Sequence, residues 1–333
     1  MKFKSILMAG VAVAATAFAG MSAATAQDKT GWPSSVKVGT ASQGGTYFVY
    51  GAGWANLVQE KLGINTSSEV TGGPVQNMAL VQSGDVQFAM ATMGPAFDGW
   101  TGKSPIAPGV EMKNVRATFP MYMTPFQMIA MANSGIKGVK DLNGKTVGVG
   151  PRGGTPGTYF PLWFKELGVT VKPQFGGAND LGSQLQDGLI DSFAFGAGLP
   201  IAVFAQVEAQ APVTLFSFTK EEQKKVIDAF PSVSAFTIPA NTYKSQTEDQ
   251  YTVAMWNFGI AHKDMPESLV YEVMKVVLDN NDRMMQIHNS AVDTKPENYV
   301  NNGFMWFHPG AIRYFKEKNL PVDPKLVPPE YKG

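Results

Sequence analysis

Residues 36–62 read VKVGTASQGGTYFVYGAGWANLVQEKL, and the fold turns on how they are parsed. Val36 and Val38 form a short β-type run that breaks into Thr40-Ala41-Ser42-Gln43-Gly44-Gly45-Thr46. Beyond it Tyr47, Tyr50, Trp54, Leu57, Val58 and Leu62 recur with helical spacing. A strand therefore feeds a Gly/Ser/Thr loop, and the loop opens a helix. Gly44 and Gly45 let backbone N–H groups turn outward without Cβ obstruction. The Ser42 and Thr46 hydroxyls add donors, and the helix N-terminus adds partial positive charge. Such a place suits a small anion, typically a carboxylate. An ordinary N-capped βα turn needs the same residues, so both readings stand at this point.

Outward from this unit the pattern repeats. Ile64 to Val70 is a β-type run, and Thr71-Gly72-Gly73-Pro74 is a second Gly-rich turn. Pro74 suits the first position of a helix with Val75, Met78, Ala79 and Gln82 inward. That helix stops at Ser83-Gly84-Asp85, and Val86 to Ala91 reads as a buried strand. Alternation of this kind argues for a mixed, mostly parallel α/β sheet. Arg116 to Met131, with Pro120 and Pro125, reads as an extended crossover into a second lobe.

There the theme returns. Thr146 to Val149 is a strand, Gly150 to Thr158 a Gly-rich loop, and an aromatic-rich helix runs through Trp163 to Leu167. A strand at Val169 and Val171 and a helix from Leu181 to Leu189 follow. LVQSGDVQFAMATMG (residues 80–94) is echoed by QLQDGLIDSFAFGAG (residues 184–198), as two lobes built on one plan would be. Val213 to Pro239 reads strand, helix, strand, and Tyr251 to Ala261 is a second extended crossover. A helix from Glu267 to His288 and another from His308 to Asn319 close the chain. The expected division is residues 27–119 with 246–333 in one lobe and 120–245 in the other.

The N-terminus reads as a targeting segment. Lys2 and Lys4 precede an apolar run from Ile6 to Gly20, and Ala24-Thr25-Ala26 forms an A-x-A cleavage site before Gln27. The run is shorter than the ~20 residues of a spanning helix. Cleavage after Ala26 leaves roughly 300 residues, more than one core usually covers. There is no cysteine, which excludes disulfides and thiolate chemistry. These features fit a free periplasmic protein of a bacterium. Charge is balanced at 27 basic and 27 acidic residues, and no basic patch points to nucleic acid.

Catalytic and cofactor motifs are scarce. His262, His288 and His308 have no metal-ligand spacing, so structural roles are expected. No G-x-S-x-G or H-E-x-x-H occurs. The G-x-G-x-x-G at residues 148–153 follows a strand, but Pro156 is read as interrupting the helix a dinucleotide needs. No cofactor and no metal are expected. Met90, Met93, Met121, Met123, Met128 and Met131 cluster around the expected interlobe surface, as core filling or as an adaptable lining.

Four blocks carry a more specific signal: GTASQGGTYFVYGAGWANLV (39–58), EVTGGPVQNMALVQSGDVQFAM (69–90), SGIKGVKDLNGKTVGVG (134–150) and HPGAIRYFKE (308–317). In this order they resemble the TAXI family, the solute receptors of tripartite ion-gradient-driven (TRAP) transporters, over essentially the whole mature chain. The resemblance implies a two-lobed periplasmic binding protein of type II. It implies a receptor that passes a small organic acid, glutamate-like in the best-known members, to integral membrane permease subunits; a monomer is expected.

Thr40, Ser42, Gly44, Gly45, Thr46 and Tyr47 match the family's first ligand loop, and Gly72 and Gly73 its second. The loop holding Arg152, Gly154, Thr155 and Thr158 matches its third. Many relatives carry Gln-Ser-Asp where this chain has Thr92-Met93-Gly94, and an acidic residue where it has Thr124. The carboxylates that would meet a ligand ammonium are thus missing. With Arg152 the only base in these loops, the expected ligand is a mono- or dicarboxylate without a required ammonium, such as 2-oxoglutarate. A secreted α/β hydrolase, or a receptor feeding an ATP-driven transporter or a sensor, remains the alternative.

Overall fold

The computed structural model describes residues 29–333; the expected signal peptide lies outside the described residues. The first unit runs β1 (Ser35–Gly39), α1 (Thr46–Leu62), β2 (Asn65–Glu69), α2 (Pro74–Ser83), β3 (Phe88–Thr92) and α3 (Met93–Trp100). The long β4 (Val115–Met131) leads to a second unit of β5 (Thr146–Gly148), α4 (Thr155–Glu166), β6 (Lys172–Gln174), α5 (Ala178–Gln186) and β7 (Ser192–Gly196). Then come α6 (Ala202–Gln210), β8 (Val213–Phe216), α7 (Lys220–Ala229), β9 (Ser234–Ile238) and β10 (Gln250–His262). Helices α8 (Glu267–Leu278), α9 (Asn281–Ile287) and α10 (Pro309–Glu317) close the chain.

The two units repeat one plan. β1 pairs in parallel with β2 and β3, and β3 meets β10 antiparallel. In the same way β5 pairs in parallel with β6 and β7, and β7 meets β4 antiparallel. The sequence echo falls on equivalent strands, since Phe88–Thr92 and Ser192–Gly196 stand at the same offset in it. This is the two-lobed, mixed α/β architecture expected from the sequence.

Each lobe has its own core. Trp54, buried on the inner face of α1, meets Phe88 and Phe119 edge-on. Side chains of 36–122 and 258–326 complete that core. Trp163 on α4 meets Phe126 edge-on at 4.7 Å in a second core, whose members lie between Phe126 and Met255. A side chain as large as either, once buried, contributes about 1.5–3 kcal/mol through apolar area alone. Tyr122 and Phe258 belong to the first core, Phe126 and Met255 to the second. Each crossover strand thus changes cores within a few residues.

β4 and β10 pair antiparallel, with register shifts on either side of Phe258, which stands opposite Pro120. Proline donates no ladder hydrogen bond, and such irregularities accommodate it.

Helices α3 and α6 have no counterpart in the sequence reading, and two further elements differ from it. The helix expected over Glu267–His288 is two, α8 and α9, broken at Asp279 and Asn280. The strand expected at Val169 and Val171 lies instead at Lys172–Gln174, an exposed three-residue edge.

Candidate functional site

The Gly-rich turns of both lobes meet at one cavity. It is lined by the start of α1 (Gly45, Thr46, Tyr47), the start of α2 (Gly73, Pro74), Thr92 before α3 and the start of α4 (Gly154, Thr155, Pro156). None of these four helices has a side-chain cap at its N-terminus. The helix ends therefore present partial positive charge to a shared space. No charged side chain lines it among the described residues. It leaves about 40 Å³ for the centres of water-sized molecules, room for about three waters.

The lobes touch around this space. Gly153 O accepts from Val75 N–H at 2.9 Å and Gln76 N–H at 3.3 Å. Thr46 donates to Gly198 O at 3.3 Å, and Ala178 N–H to Ser42 Oγ at 3.4 Å. Tyr159 donates to Asp98 at 2.8 Å. This is a closed arrangement. At Gly73 the backbone has φ +111°, and an added Cβ would lie 3.2 Å from Gly154 Cα of the other lobe. Both features favour glycine.

Beneath the cavity runs a buried polar chain. Thr155 Oγ1 lies 3.0 Å from Thr92 Oγ1, which is 3.2 Å from Tyr47 Oη. Tyr47 donates to Asn257 Oδ1 at 2.7 Å. Asn257 Nδ2 donates to Tyr122 O at 2.6 Å and to Thr124 Oγ1 at 2.8 Å. Burial pushes the Tyr47 phenol well above its ordinary pKa, so it stays a neutral donor.

Of the residues singled out from sequence, Ser42, Gly45, Thr46, Tyr47, Gly72, Gly73, Thr92, Thr124, Gly154 and Thr155 line the cavity. Thr40 stands behind it, its hydroxyl donating to Glu69 O at 2.7 Å. Gly44 sits against Asn179 of the other lobe, and Thr158 donates to Gly154 O at 3.2 Å. Arg152 is not brought to the cavity. It is exposed, with its guanidinium 3.8 Å from the centre of the Phe175 ring; stacking on an aromatic face satisfies it there. Nor does Pro156 interrupt a helix: α4 opens at Thr155 and takes Pro156 into its first turn, where the lost N–H costs nothing.

Sequence reasoning missed Phe195, Gly196 and Ala197, which line the far wall. Their signal was present, because the internal echo sets Gly196 opposite Thr92. It also missed Asn257, an amide between the aromatic residues Trp256 and Phe258 of β10. None of the six clustered methionines lines the cavity. The three histidines are structural: Nδ1 of His262, His288 and His308 accepts from the N–H of Asp264, Ser290 and Gly310. No metal-binding cluster occurs among the described residues, and no described helix is long and apolar enough to cross a membrane.

An ancestral arginine-binding protein, solved with arginine, superposes with a TM-score of 0.50 at 15% identity, covering 77% of this chain and 97% of that one. A substrate-binding protein of an ABC uptake transporter from Streptococcus pneumoniae, solved with histidine, gives 0.50 at 14% identity, covering 76% and 90%. These likenesses show the fold, that of the two-lobed type II periplasmic binding proteins. The profile of the NMT1-like family matches residues 38–318, most of the described chain, and the protein belongs to that family.

Proposed function

We propose that this chain is a periplasmic solute receptor that captures a short monocarboxylate between its lobes and delivers it to a membrane transporter. The observation that carries the reading is the cavity itself: helix N-termini without side-chain caps and several hydroxyls around a small space with no charged side chain among the described residues. Gly153 O takes the donors of α2, which leaves the ends of α1, α3 and α4 for a ligand. Hydrogen bonds to a charged group contribute about 1.5–3 kcal/mol each. Three or four, less the ordering cost, reach the roughly −8 kcal/mol of micromolar binding.

The lining argues for the ligand class. An ammonium would meet no carboxylate, and a second carboxylate no cation, because Arg152 stands outside. A buried unpaired charge costs several kcal/mol. The small volume also suits a short acid better than 2-oxoglutarate. Binding rather than turnover is the reading, since the lining offers no nucleophile and base in a pair.

The hinge is assigned to residues 123–125 and 256–257, where the crossover strands change cores. Delivery to a TRAP-type permease rests on the four-block resemblance. Delivery to an ATP-driven transporter is the competing route, as served by the Streptococcus receptor of like fold. Uptake that stops when the ion gradient collapses at constant ATP supports the first.

Mass spectrometry of small molecules released by denaturing protein purified from the periplasm tests the ligand class. A carboxylic acid lacking an amine is expected at near one per chain. Stoichiometric release of an amino acid would overturn the reading.

A further inference from the structure

The donor directions of the buried polar chain follow from one fixed point, the carbonyl of Tyr122. A carbonyl only accepts, so the Asn257 atom 2.6 Å from it is the Nδ2 amide. Its second hydrogen goes to Thr124 Oγ1 at 2.8 Å. Oδ1 must then accept, and Tyr47 donates its single hydrogen there. Tyr47 Oη has no further hydrogen, so its contact with Thr92 requires Thr92 to donate. Thr92 is then spent as a donor, and Thr155 donates to it. Each step leaves the next no choice.

One hydroxyl is left over. Thr124 Oγ1 accepts from Asn257, so its own hydrogen is free, and no protein acceptor for it is found among the described residues. Thr124 is 4% exposed and lines the cavity. A buried hydroxyl without an acceptor costs free energy until something accepts from it. Asn257 can play this part because of where it sits. Its strand neighbours Trp256 and Phe258 pair with Met123 and Pro120, and the register shifts between them. Asn257 itself pairs with Thr92 on β3. Irregularities of this kind re-aim a side chain beside a site.

We infer that Asn257 is a positioning residue that sets the direction of these hydroxyls, so that Thr124 offers the ligand a donor and the site selects acceptor groups over ammonium groups. The selectivity rests on the proposed carboxylate reading; the donor directions rest on geometry alone. Without Asn257's amide hydrogens Thr124 has no imposed direction, and the discrimination weakens.

Two measurements test this. Neutron diffraction of the deuterated, ligand-free protein is expected to place the Thr124 deuteron in the cavity and the Tyr47 deuteron toward Asn257. A Thr124 deuteron pointing at Asn257 would overturn the proposal. Calorimetry compares pyruvate with L-alanine, and 2-oxoglutarate with L-glutamate, on wild type, Asn257→Leu and Thr124→Val. The amino-to-oxo ratio of Kd is expected to fall by about tenfold in both variants, whereas loss of scaffolding alone lowers both affinities and leaves the ratio unchanged. An unchanged ratio in folded variants that still bind would therefore sink the inference. Should the wild type bind none of the four acids, the carboxylate reading falls, and the deuteron positions still decide the role of Asn257.

Discussion

The carbonyl of Gly153 caps the helix that opens beside Val75 in the opposite lobe, accepting the Val75 N–H at 2.9 Å. A contact of this kind exists only when the lobes are closed. Such bonds stabilise the closed state without a ligand, and a ligand that contacts both lobes adds to them. The energetic role of the Gly72-Gly73 turn follows: its first service is to the other lobe.

Gly73→Ala tests that role. Its φ of +111° strains any other residue in this conformation, by about 1–3 kcal/mol. The 3.2 Å approach of the new Cβ to Gly154 Cα penalises the closed state in addition. Affinity for the proposed acid is expected to fall about tenfold, and small-angle scattering at saturation to show a larger radius than wild type. Unchanged affinity and radius would show that closure does not bring these turns together.

The Tyr159–Asp98 bond joins α4 to α3 across the lobes at 2.8 Å. Burial raises the Asp98 pKa, opposed by the Tyr159 hydrogen bond and by Lys103. A raised folded value means that stability falls as pH climbs from the ordinary carboxylate value through the folded one. Tyr159→Phe removes the opposing hydrogen bond and deepens that loss. The variant is expected to be less stable at pH 7 by about 1–3 kcal/mol, with the gap narrowing on acidification below the Asp98 transition. Denaturant titrations across that range check it; a gap that is constant with pH would refute the assignment.

His308 caps α10 through Nδ1, and burial, with Arg116 nearby, pushes its pKa down to about 3. The depressed value contributes stability that is full above the unfolded pKa, near 6.5, and is lost as pH falls toward 3. The loss runs at up to about 1.4 kcal/mol per pH unit. His308→Asn keeps a capping side chain and removes the titration. Its stability is expected to decline less steeply between pH 6.5 and 4 than that of wild type. Parallel slopes would mean that His308 does not titrate as described.

Much of the fold was legible because punctuation and periodicity agree. Gly84 ends α2 in the left-handed conformation, and Pro74 opens it, as read from their positions. β6 was misplaced because Lys172–Gln174 is an exposed edge with no buried face to mark it. The break between α8 and α9 was hidden because the apolar spacing continues to buried Met284 across it.

At the site, the glycine turns were legible from local chemistry alone. Arg152 was not, since Phe175 claims its guanidinium from 23 residues away in the chain. Asn257 gave no signal either. Its partners Tyr47, Thr92 and Thr124 come from three separate elements, and only the register shift in β10 turns it toward them.

Arg152→Gln is accordingly expected to change affinity by less than about twofold, the ordinary effect of an exposed substitution. Calorimetric titration of this variant beside wild type measures it, and a loss of tenfold or more would return Arg152 to the ligand.

The central claim is that the cavity accepts a carboxylate and has no place for an ammonium. Calorimetry of the mature protein with amino and 2-oxo acids of one carbon skeleton, starting from L-alanine and pyruvate, tests it most directly. The account predicts binding of the 2-oxo acid with at least tenfold preference, the size expected when one charged group is left unpaired. Tighter binding of the amino acid would contradict it.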